Sequence, residues 1–89
     1  MAEQDQYQQL LSEIVAKQAI ILGPEIAVLK ARSVKGITVD DKGNVTSIEG
    51  DAKEALQQLV DAYVSLSGQI VKSAMLPLFS KYPDIEKVD

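Results

Sequence analysis

The sequence predicts a predominantly helical α+β domain in the order helix, β-hairpin, helix. Three observations lead there. Apolar residues recur at spacings of three and four from about residue 4 to 34 and again from about 51 to 81, the period of an amphipathic helix. Between them, "VKGITVDDKGNVTSIEGD" changes to the alternation of a strand and carries a turn rich in Asp, Gly and Asn. At 89 residues the chain has room for one small domain with one core.

In the first segment Tyr7, Leu10, Leu11, Ile14, Val15, Ile21, Leu22, Ile26, Val28 and Leu29 supply the apolar stripe. Glu3 and Asp5 sit in its first turn and Lys30, Arg32 and Lys35 near its end, both favourable to the helix macrodipole. "LGPE" interrupts the stripe at 23–24, because proline lacks the N–H that a helix interior requires and its ring clashes with the preceding turn. A kink or a restart with Pro24 in the first turn would both satisfy that constraint.

In the hairpin at 36–49, Ile37 and Val39 are expected to face Val45, with Thr38 beside Thr46. "DDKGN" places Gly43 where a type I turn followed by a G1 bulge requires a left-handed residue. Asp51 then has the character of an N-cap, with Glu54 positioned to reach back to its amide in a capping box. The second segment is expected to bend at Pro77 and to stop before Pro83, leaving 83–89 as a frayed tail. Each helical segment is about 31 residues, or roughly 46 Å when straight, which suggests long antiparallel helices, kinked near Pro24 and Pro77, with the hairpin at one end.

The apolar arc of the second segment is wider than one neighbouring helix covers. Beside the main stripe, Val60, Val64, Val71, Met75 and Leu78 extend round one side and form the expected oligomer interface. A second copy is the simplest cover, so the sequence points to a dimeric four-helix arrangement. Another protein could serve in the same way. Gln18, Glu25 and Arg32 fall at intervals of seven. On a straight helix they would lie inside the stripe as polar residues that fix register between subunits; a shift of phase at Pro24 would instead turn Glu25 and Arg32 to solvent.

Composition removes several chemistries. The chain has neither His nor Cys, so the usual general base near neutrality and the most nucleophilic side chain are both missing. No glycine-rich phosphate loop is present, and the acidic turn fails the calcium-loop pattern, with Lys42 and Val45 at positions that need a ligand and a glycine. No cofactor or metal is therefore expected. Nine Lys or Arg against thirteen Asp or Glu give a net charge of −4, which opposes general binding to nucleic acid and leaves only the local cluster Lys30, Arg32, Lys35 as a possible contact. No run is long and apolar enough to span a bilayer, and the polar N-terminus has no secretory signal, so a cytoplasmic address is expected. The function expected is a non-enzymatic, homo-oligomerising adaptor or regulatory module. The alternative is a helical protein enclosing a small apolar ligand among Tyr7, Tyr63, Phe79 and Tyr82.

Overall fold

The computed structural model describes residues 4–68, 77, 78, 80–82 and 85. In chain order the elements are α1 (Gln4–Leu22), α2 (Pro24–Arg32), β1 (Ile37–Val39), β2 (Val45–Ile48) and α3 (Ala52–Ser67). The chain is thus mostly helical with a two-stranded antiparallel hairpin.

The first helical segment is two helices rather than one long kinked one. Gly23 separates them, and Pro24 opens α2 at a position whose N–H would have no helical partner in any case. The Gly23 N–H still closes α1 on Ala19 O at 3.0 Å, and Gly23 O accepts the first bond of α2 from Ala27 N at 3.1 Å. A restart therefore costs fewer hydrogen bonds than a proline kink would. The greatest extent of the chain is 32 Å, too short for a straight helix of the length the sequence suggested.

In the second helical segment α3 covers less than the expected span, and Pro77, Leu78 and Ser80 are again helical. α3 stops at Ser67, and Gly68, at φ 63, donates its N–H to Val64 O at 2.7 Å. Residues 69–76, over which the helix was expected to continue toward a bend at Pro77, lie outside the described residues. Asp51 caps α3 as expected, its carboxylate accepting from Lys53 N at 3.0 Å. Glu54 does not complete a capping box; it accepts from Gln58 Nε2 at 3.3 Å, one turn further on. In the expected frayed tail, Ile85 is buried and donates its N–H to Tyr82 O at 3.0 Å.

The turn of the hairpin has the expected form. Gly43 N donates to Asp40 O at 3.1 Å, Asp40 N donates to Asn44 O at 3.0 Å, and Gly43 has φ 88. The Asp40 carboxylate accepts from the amides of Lys42 and Asn44 at 2.9 and 2.8 Å. The bond from the Asn44 amide, with the Asn44 side chain and the Lys42 amide and charge, holds Asp40 below the usual carboxylate pKa.

Pairing differs from simple alternation. Ile37 lies opposite Ile48, Val39 opposite Val45, and Thr38 opposite Ser47, not Thr46, because the register shifts between Thr38 and Val39. Thr46 is the extra residue of that bulge, and its hydroxyl donates to Thr38 O at 3.3 Å. The bulge lets Val45 and Ile48, three residues apart, both enter the core while Thr46 and Ser47 face out.

That core is aliphatic apart from Tyr63. Leu10, Leu11, Ile14 and Val15 of α1 meet Ala27 and Ala31 of α2, Val39, Val45 and Ile48 of the hairpin, and Leu56, Leu59 and Tyr63 of α3. The hairpin lies against helices of its own chain. Val45 N donates to Ser12 Oγ of α1 at 2.9 Å and Gln8 Nε2 donates to Thr46 O at 3.3 Å, which occupies the outer edge of β2. On the other strand, Arg32 Nε of α2 donates to Val39 O at 3.2 Å. Side chains from two helices therefore satisfy edge groups that would otherwise invite another strand.

Candidate interaction surface

α2 is nine residues long, and its buried side carries only Ala27 and Ala31. Small residues there let α2 lie close to its neighbours. At 100° per residue, Leu29 projects from the opposite side, with Ile26 beside it and Glu25 and Arg32 on its other flank. Leu29 is 70% exposed and Ile26 49%. In the last turn of α1, just before the break, Ile20 is 82% exposed and Ile21 40%. Single exposed aliphatics are ordinary, but these four fall within ten residues around one corner of the fold.

Of the interface expected from sequence, the described residues include Val60, Val64 and Leu78. Val60 and Leu78 are buried within the chain's own core, and Val64 is half-buried against it. Val71 and Met75 lie outside the described residues. Counting two helices made the apolar arc of α3 look uncovered; with α1, α2 and the segment around Leu78 and Ile85 contributing, much of it is covered within one chain. In the sequence Ile26 and Leu29 fall on the apolar stripe that α1 would continue if it ran straight. Only the break at Gly23 turns them outward.

The heptad-spaced polar residues separate across the same break. Gln18 is fully buried and, among the described residues, neither atom of its side-chain amide has a hydrogen-bond partner, whereas Glu25 and Arg32 are exposed on α2. Arg32 is held in place by its bond to Val39 O and by an ion pair from Nη2 to Asp41 Oδ1 at 2.8 Å. The basic cluster Lys30, Arg32, Lys35 does not converge: Arg32 serves the hairpin, and Lys35 borders a groove shared with Glu49, Asp51 and Glu54.

The aromatic residues are likewise dispersed. Tyr63 is fully buried and donates to Ala27 O at 2.6 Å; burial pushes its hydroxyl well above the ordinary tyrosine pKa. Tyr82 donates to Glu13 Oε2 at 2.8 Å, beside Lys81 Nζ at 3.1 Å from Glu13 Oε1. Partial burial and the Glu13 carboxylate push Tyr82 up to about 12. Burial alone would raise Glu13, but the bonds from Tyr82 and Lys81 and the lysine charge outweigh it and leave its pKa lowered. Beside this clasp lies a cleft of about 470 Å³ with Asp5, Gln8, Gln9, Ser12 and Glu13 among its walls, a mostly polar lining. Phe79 lies outside the described residues, and Tyr7 is half-buried against the core. Among the described residues, no group of carboxylates is placed to hold a metal ion, and no helix is long and apolar enough to cross a membrane.

Comparisons with protein-family models, with characterised proteins and with solved structures gave no match. Function is therefore argued from these residues alone.

Proposed function

We propose that the chain is a non-enzymatic, self-associating interaction module of the cytoplasm, and that it associates through the apolar corner formed by the end of α1 and the outer face of α2. The exposure of Ile20, Ile26 and Leu29, where the other large aliphatics among the described residues, Ile21 and Leu66 apart, are buried or half-buried, carries this reading. The lack of any His or Cys supports a binding rather than a catalytic role.

Magnitudes favour a reversible partner. Burying what is still exposed of Ile26 and Leu29 on two copies, at about 1.5–3 kcal/mol for a fully exposed side chain, gives roughly 4–7 kcal/mol before costs. Association itself costs about 4–15 kcal/mol. A gain no larger than that cost leaves these side chains only a weak, readily reversible pair, a regime suited to an adaptor that assembles and releases.

Sedimentation equilibrium from low micromolar to millimolar chain tests this. A monomer–dimer equilibrium is expected, and Leu29→Glu should shift it to monomer without altering the far-UV spectrum. A single monomeric mass at every concentration would overturn the proposal.

A further inference from the structure

We infer that the second copy docks antiparallel on α2, with Glu25 of each copy paired to Arg32 of the other across a two-fold axis; this rests on the self-association reading above. Glu25 and Arg32 occupy the same flank of α2, two turns or about 10.5 Å apart. A two-fold axis lying between the two helices, perpendicular to both and level with the Val28–Leu29 peptide, brings residue 25 of each copy level with residue 32 of the other. Each acid then faces a base, with Leu29 of one copy beside Leu29 of the other along one margin of the contact. In a parallel pair, by contrast, Glu25 would meet Glu25 and Arg32 would meet Arg32.

The surface beside α2 has the matching form. A groove of about 350 Å³ is lined by Pro24, Glu25, Val28, Leu29, Arg32 and Asp41. Its middle is apolar, with Glu25 toward one end and Arg32, already ion-paired to Asp41, toward the other, so an incoming Glu25 would share one guanidinium with Asp41 in each half of an isologous contact. Glu25 forms no hydrogen bond or ion pair among the described residues, so its carboxylate is uncommitted. Arg32 is preset: Nε on Val39 O and one Nη2 bond to Asp41 fix the guanidinium and leave the rest of its five N–H donors for an incoming carboxylate. The alignment that the heptad spacing suggested within one helix is thus replaced by a cross-copy register set by α2 alone.

Charge exchange tests the register by sedimentation. Glu25→Arg sets arginine against arginine at both ends, and its dissociation constant should rise at least tenfold over wild type. Arg32→Glu sets acid against acid and should also weaken the dimer. An equimolar mixture of the two variants restores both pairs, so a mixed dimer tighter than either parent is expected. Arg32→Glu also loses the bond to Val39 O, and its thermal transition is checked first; should it fail to fold, Glu25→Arg, at a position with no bond of its own, carries the test. A Glu25→Arg chain that dimerises like wild type overturns this register. If wild type dimerises and Leu29→Glu weakens it while Glu25→Arg does not, the association reading survives and only the antiparallel register fails.

Discussion

Two buried side chains decide how well the core is satisfied, and they act in opposite directions. Tyr63 places a hydroxyl in the apolar centre and satisfies it on Ala27 O, joining α3 to α2. Tyr63→Phe keeps the ring and removes only that bond, so a loss of about 1–2 kcal/mol is expected in urea unfolding. Gln18 is the reverse case. Its amide has left water without gaining a partner, which costs about 1–3 kcal/mol. Gln18→Met, close in volume and apolar, should therefore stabilise the chain by about 1–2 kcal/mol; a lower urea midpoint in that variant would mean that the amide is satisfied in solution. The spacing of residues in the sequence located Gln18 on the apolar stripe, where it lies. It could not foretell the partner of Tyr63, because a bond between α3 and α2 exists only once the break at Gly23 has folded α2 back.

Local signals were legible wherever one residue type answers one backbone demand. Asp51 as a cap and Gly43 in the turn are of this kind, since few other residues accept those roles. The bulge at Thr46 left no such mark: Thr and Ser suit either register, and only the need to bury both Val45 and Ile48 selects the shift. Entry to the hairpin is equally constrained. Gly36 has φ 90, and a Cβ there would come within 2.8 Å of Glu49 O, whose own N–H bonds Gly36 O. Gly36→Ala should cost about 2–3 kcal/mol through strain and displacement of the strand, read as a fall in urea midpoint with early exchange of the Glu49 amide. Midway along α1, the Glu13 clasp makes the attachment of Lys81 and Tyr82 sensitive to pH. Because folding lowers the pKa of Glu13, its contribution is complete above the unfolded carboxylate value and is lost as pH falls through the folded one. Because folding raises Tyr82 to about 12, that contribution is complete below the unfolded tyrosine value near 10 and fades as pH rises toward about 12. Glu13→Gln should accordingly destabilise the chain at neutral pH and converge on wild type in acid, followed by urea unfolding across the acid range.

For the molecule as a whole, one chain supplies most of its own core, so the proposed association is separable from folding. The hairpin edges are occupied by Gln8, Ser12 and Arg32 of the same chain, and Val60 and Leu78 are buried without a second copy, so the core is largely completed by one chain. An obligate dimer would instead leave such groups open in the monomer, and its unfolding midpoint would climb steeply with concentration by mass action. The Cα radius of gyration, 11.5 Å, is close to the roughly 12 Å expected of a folded chain of this length. Small-angle scattering of dilute samples should give a value near 12 Å that rises with concentration as pairs form. Over the same range the thermal midpoint should move by only a few degrees, since a weak partner adds stability only as the logarithm of its occupancy. Loss of helical signal on dilution would show that the second copy completes the fold rather than docking on it, and the surface at Ile26 and Leu29 would then be part of a shared core instead of a reversible contact.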